Sequence, residues 1–262
     1  MTYASVIGAE AASVPLAELS GVWRRSLFVR GDGTTDRATS VTWLQSSSSY
    51  VDLRQPPRRP DMTGVTCLRD LTAPQLAWMA TQEGFAGALR ADAAYAEWER
   101  YVDMQPASPP DIGRLAWVGG VLLEEGIDRP YAEHWERDAT PGATWGVRLV
   151  DPQTGTRGVI ARVGDNFGYA RGRDSRLGGP PATPARVAAA ELTDAQDFLD
   201  CELAIGSVAA GVWTIERSSL PFREGADLGV ALDGATCLTN DLTPDGAPRR
   251  INWRVVAIDP QS

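Results

Sequence analysis

Residues 40–53 read Ser40-Val41-Thr42-Trp43-Leu44-Gln45-Ser46-Ser47-Ser48-Ser49-Tyr50-Val51-Asp52-Leu53. Polar and apolar residues roughly alternate in two short runs, and four serines separate the runs. A period of two places successive side chains on opposite faces, which is the pattern of a half-buried strand. The serines resemble a flexible hairpin tip. Moving outward, the same texture predicts strands at 21–30, 39–53, 64–69, 84–91, 94–104, 113–124, 131–137, 144–151, 156–163, 167–172, 201–217, 227–232, 235–240 and 249–258. Turn chemistry lies between them, as in Arg30-Gly31-Asp32-Gly33, Asp151 to Gly155 and Pro244-Asp245-Gly246.

Helix is a minority. Leu71 to Gln82 has a Thr cap, a Pro in the first turn and good helix formers after it. Thr193-Asp194-Ala195-Gln196 has capping-box spacing. The stretch 178–184 is rich in Gly and Pro and reads as a long loop, and residues 1–15 read as a loose tail. Many antiparallel strands without β-α alternation predict a mainly β protein, a single antiparallel β-barrel over 16–262 with one or two short helices. The segment 113–124 is apolar at both parities, so it is expected to be covered on both faces, with the 71–82 helix as one cover.

Composition narrows the chemistry. All 25 positive charges are arginines, so no lysine can form a Schiff base or a P-loop. One histidine cannot build a His-rich metal site, and three isolated cysteines make no C-x-x-C pair. No metal and no cofactor are therefore expected. The cysteines read as thiols in a reducing, bacterial-type cytoplasm, and the first residues carry no signal-like apolar segment. A net charge of −9 argues against nucleic acid, and no run is apolar enough to span a membrane. A homodimer stays open.

Leu19-Ser20-Gly21-Val22-Trp23-Arg24-Arg25 resembles the Gly-x-Trp opening of the first lipocalin strand, and so the calycin superfamily. The resemblance implies a barrel that binds a small apolar molecule. It also implies that Trp23 closes one barrel end against an arginine from the last strand. Arg254, within Ile251-Asn252-Trp253-Arg254, stands where that arginine is expected. Gly211-Val212-Trp213 echoes Gly21-Val22-Trp23, and Tyr95-Ala96-Glu97-Trp98 echoes Tyr131-Ala132-Glu133-His134-Trp135.

The sole histidine, His134, shares a strand face with Ala132 and Glu136, opposite Tyr131, Glu133, Trp135 and Arg137. On 94–104, Tyr95, Glu97, Glu99, Tyr101 and Asp103 oppose Ala96, Trp98, Arg100, Val102 and Met104. If the carboxylate row meets His134, the candidate catalytic groups are His134, Glu99 and Glu136, a pairing suited to proton shuttling near neutral pH. If the other face turns inward, Arg100 becomes an anion clamp, with Asp103 or Gln105 nearby at the strand end. Trp98, Arg100, Tyr101, Trp117, Trp145 and Tyr169 are the candidate ligand-binding residues. The functional expectation is a cofactor-independent isomerase, cyclase or lyase for a small hydrophobic molecule. The alternative is a non-catalytic carrier or sensor.

Overall fold

Strand alternation closes the first half of the chain on itself. The computed structural model describes residues 14–92, 94–105, 110–139, 142–174 and 183–259. The expected tail at 1–15 and loop at 178–184 lie largely outside them. The first sheet contains β1 (Gly21–Arg30), β2 (Thr35–Asp36), β3 (Ser40–Gln45), β4 (Ser49–Gln55), β5 (Glu83–Ala91), β6 (Ala96–Asp103), β7 (Ile112–Val118), β8 (Val121–Gly126) and β9 (Tyr131–Ala139). Neighbours pair antiparallel in chain order, with β2 a side ribbon on β1, and β9 returns to pair with β1. The protein is thus mainly β, with a closed antiparallel barrel of eight strands and a few short helices, as expected.

A second sheet follows: β10 (Thr144–Val150), β11 (Arg157–Val163), β12 (Asn166–Arg171), β13 (Glu202–Ala209), β14 (Val212–Ser218), β15 (Ala231–Asp233), β16 (Thr236–Leu242) and β17 (Pro248–Ile258). Its order is β14-β13-β12-β11-β10-β17-β16-β15. Residues 225–228 bond to β14, and Leu228 accepts a bond from Asn240 of β16, so this sheet also curls toward closure. The alternation in the sequence does not reveal which strands share a sheet, nor that the sheet changes between β9 and β10.

Three layers of apolar side chains hold the molecule. Inside the first barrel, all eight strands contribute to a cluster that includes Trp23, Trp43, Tyr50, Phe85, Trp98, Leu115, Leu122 and Trp135. Inside the second sheet lie Val147, Ile160, Phe167, Tyr169, Trp213 and Trp253. Between them, outward residues of the first barrel (Leu44, Val51, Leu53, Ala86, Val102) pack on Val159, Ala161, Ala170 and Leu203. Gly168 permits this approach, because a Cβ there would lie 2.7 Å from Val51 Cβ.

Several expected elements differ. Residues 113–124 form two strands, because Gly119 and Gly120 both adopt positive φ and make a tight turn. Parity restarts after the turn, so Leu115 and Leu122 point in while Ala116 and Leu123 point out. The segment covered on both faces is instead β4. The helix α2 (Ala73–Met79) packs with α3 (Pro184–Ala189) and α4 (Leu192–Phe198), not on β7. Residues 64–69 contribute no strand; a 3-10 turn spans Leu68–Asp70.

The four-serine tip is clasped rather than loose. Asp259, just past β17, accepts bonds from the hydroxyls of Ser46, Ser48 and Ser49 and the amides of Ser48 and Ser49, all between 2.6 and 3.1 Å. Burial alone would raise this carboxyl, but the bonds from Ser46, Ser49 and Ser48 outweigh it and hold it below the usual range. A depressed carboxyl stabilises the fold above its unfolded pKa, and that stability is lost as pH falls through the folded value. Asp259→Ala should lower unfolding free energy by about 2 kcal/mol in urea titrations. A loss below about 0.5 kcal/mol would show that the clasp contributes little.

Candidate functional site

The interior of the first barrel is divided along its axis. One end is filled with indoles: Trp23 stacks on Trp43 at 5.8 Å, and Trp43 meets Trp98 at 6.0 Å and Trp135 at 5.5 Å. The helix α1 (Leu16–Leu19) caps this end, and Leu19 O accepts a bond from Trp23 Nε1. The Arg137 guanidinium lies 4.5 Å over the Trp23 ring and donates to Glu18 O. Arg137 is on β9, the strand that closes this barrel, so the arginine facing Trp23 is Arg137 and not Arg254. Arg254 lies on the exposed side of β17, in the other sheet.

The opposite end is open and polar. A cavity of about 570 Å³ is lined by Phe28, Arg54, Phe85, Arg100, Asp111, Tyr131 and Glu133, among others. That volume lies within the range of small-molecule pockets. Two bulges shape it. Register shifts between Arg25 and Leu27, so Trp23 and Arg25 point in and, beyond the bulge, Phe28 and Arg30 do. A second shift between Ala86 and Gly87 falls opposite Arg100 to Val102. Trp98 and Arg100 face inward, but beyond this bulge Asp103 joins them and Val102 and Met104 turn to the layer between the sheets. Uniform alternation along 94–104 therefore fails at its last three residues.

Ion pairs form the cavity floor. Glu133 Oε1 accepts from Arg25 at 2.6 Å and Arg54 at 3.1 Å. Arg54 also donates to Asp52 at 2.8 Å, and Arg25 reaches Asp36 at 3.4 Å. Arg100 donates to Asp103 at 2.9 Å and to Asp111 at 2.6 Å, and lies 3.8 Å over the Phe85 ring. Burial opposes the charge on Arg100, but Asp111 and Asp103 outweigh it and raise its pKa.

Glu124 differs from these groups because, among the described residues, no arginine pairs with it directly. Its Oε1 lies 2.7 Å from Tyr131 Oη, and its Oε2 accepts from Trp135 Nε1 at 3.0 Å. Burial, then the neighbouring Glu133 and Asp111, push its pKa well above the carboxylate range. Burial, then Glu124, Asp111 and Glu133, push the Tyr131 phenol well above its usual value. Tyr131 Oη also lies 3.3 Å from Asp111 Oδ1. A protonated Glu124 can donate to Tyr131, which can donate onward to Asp111 or to a molecule in the cavity.

The residues expected from sequence fall in different places. Arg100 lines the cavity. His134 does not: it shares the outward face of β9 with Ala132, between Leu27 of β1 and Leu123 of β8. Glu136 follows the same parity and is exposed, because Glu133 and Trp135 take the interior. Glu99 points out and pairs with Arg90 at 2.7 Å. His134, Glu99 and Glu136 are thus not gathered into one site. Trp98 is packed among indoles, and Tyr101 lies at the layer between sheets beneath Arg157. Trp117, 44% exposed, meets Trp23 in a tilted contact at the closed end. Trp145 and Tyr169 belong to the second sheet, where Trp145 meets Trp213 and burial raises the Tyr169 phenol.

Sequence reasoning passed over Glu124, Tyr131, Glu133, Asp111, Arg54 and Arg25. Tyr131 and Glu133 lie on the face opposite His134, and the Gly119-Gly120 turn was the signal that would have placed Glu124 inside. Among the described residues, no group of three or more His, Cys, Asp or Glu is arranged to hold a metal ion.

The fold resembles the crystal structure of an uncharacterized protein, YLR301w, from Saccharomyces cerevisiae, with a TM-score of 0.52 and 12% identity over 91% of this chain and 98% of that one. At that identity the likeness concerns the fold alone. No protein-family model and no curated protein sequence matches the chain.

A carboxyl raised in the fold contributes stability that is complete below its unfolded pKa and is lost as pH rises toward the folded value. The Glu124→Gln variant, which cannot ionise there, should lose less stability than the native protein between about pH 5 and about pH 8. Identical pH slopes in thermal unfolding would contradict an uncharged Glu124.

Proposed function

We propose that the chain is a calycin-like, small-molecule-binding barrel protein whose open end performs acid–base chemistry on a small organic molecule, of the isomerase, cyclase or lyase type. The observation that carries this reading is the contact of Glu124 with Tyr131 beside the cavity. A carboxyl whose pKa is pushed up by burial is suited to hold and give up a proton, and Tyr131 relays it to the cavity wall. Asp111, bonded to Arg100 and within 3.3 Å of Tyr131, is the matching acceptor. Side chains alone supply this chemistry. The stacking of Trp23 under Arg137 supports the calycin likeness. The charged lining favours a polar ligand over a hydrophobic one. Three buried, unpaired cysteines suit a reducing cytoplasm. Among the described residues, no helix is long and apolar enough to cross a membrane.

A second reading, a carrier or sensor without turnover, is favoured by the outward placement of His134. One experiment separates the two. The native protein and Tyr131→Phe are incubated with a metabolite extract, and retained and released compounds are read by mass spectrometry. A retained compound that is rearranged or dehydrated by the native protein but not by Tyr131→Phe supports the enzyme. A compound retained unchanged by both supports the carrier. Retention of nothing contradicts both readings.

A further inference from the structure

The cavity floor is unbalanced in one direction. Asp103, Asp111 and Glu133 line it with Arg54 and Arg100, and Asp36, Asp52, Glu124 and Arg25 extend the same cluster behind the wall. An uncharged Glu124 still leaves more carboxylates than cations. At the rim, Arg30 and Arg129 are matched by Glu83 and Asp128. The terminal nitrogens of Arg100 are taken by Asp103 and Asp111, and Arg54 and Arg25 are each held between two carboxylates. Arg30 keeps its guanidinium free of ion pairs among the described residues, but it lies at the exposed rim over the Phe28 ring, and an anion passing inward would add charge of the sign already in excess.

Glu133 supplies the second, independent observation. Its side chain is 2% exposed and lines the cavity. Both of its arginines bind Oε1, while Oε2 has no hydrogen bond among the described residues. A buried carboxylate oxygen left without a donor costs free energy comparable to a lost charged hydrogen bond. Arg100 Nε, buried over Phe85, likewise has no acceptor among the described residues. The two groups ask for a molecule with a cationic N–H donor and a neutral oxygen.

Resting on the small-molecule reading above, we propose that the cavity takes a small organic cation, a primary ammonium or amidinium, whose N–H donates to Glu133 Oε2. The excess negative charge draws the cation in, and Arg100 Nε orients a carbonyl or hydroxyl on the same molecule. This assigns a substrate class, an amine that bears a neutral oxygen function.

The test uses the full chain and three matched probes, benzylamine, benzyl alcohol and benzoate, titrated calorimetrically at neutral pH. Benzylamine should bind at least about tenfold more tightly than either other probe, the scale of one charge-assisted hydrogen bond. Glu133→Gln should remove that preference. Should that variant fail to fold, the Glu133 side-chain carboxyl signal in the carbon NMR spectrum of the native protein provides the readout. It should move on adding benzylamine, and a stationary signal overturns the proposal. Benzoate or benzyl alcohol binding as well as the amine overturns the cation inference and leaves the small-molecule reading standing. Binding of none of the three overturns both.

Discussion

Closing eight strands into a barrel leaves an interior just wide enough to be filled by side chains or to hold one small ligand. The first barrel does both. Four indoles, from Trp23, Trp43, Trp98 and Trp135, fill one end by stacked and edge-on contacts that leave little space. Past them, inward positions carry charges: Arg25 beyond Trp23 on β1, Arg100 beyond Trp98 on β6 and Glu133 before Trp135 on β9, joined by Arg54 beyond Tyr50 on β4. A buried charge must be paired, and pairing holds these long side chains along the wall rather than across the lumen. The cavity follows from that constraint.

Such a layer is weak evidence for stability, because desolvation cancels much of the attraction between buried ions. The stability of this half of the molecule is better sought in the indole layer and in the apolar layer shared with the second sheet. The ions give the open end a fixed pattern of donors and acceptors. Within that pattern Glu124 has a tyrosine and an indole as partners, and burial, then Glu133 and Asp111, push its pKa well above the carboxylate range.

Much of the fold was legible in sequence, because alternation in 40–53 and its neighbours is a backbone signal that survives any tertiary context. The Gly21-Val22-Trp23 resemblance correctly marked a barrel end closed by an indole and an arginine. It pointed to the wrong arginine because the barrel closes at β9 and not at the end of the chain. The candidate site was legible only around Arg100, with Asp103 and Gln105 beside it at the strand end. A lone histidine attracts attention by its rarity, yet parity within a strand does not say which face turns inward. Leu27 and Leu123 flank His134 on the outside, and Trp135 takes the interior. Bulges near Ser26 and Tyr101 exchange inward for outward positions, and nothing in the local sequence announces them. Asp103 entered the site for that reason.

The central claim is that the paired charges leave a hollow lined by Glu133, whose buried Oε2 has no donor among the described residues. A high-resolution crystal structure of the protein tests it most directly. The account predicts density for an ordered water or small molecule about 2.7–3.1 Å from Glu133 Oε2, between Arg100 and Tyr131. A Glu133 carboxylate bonded through both oxygens to Arg25 and Arg54, with side chains closed over the space, would contradict it.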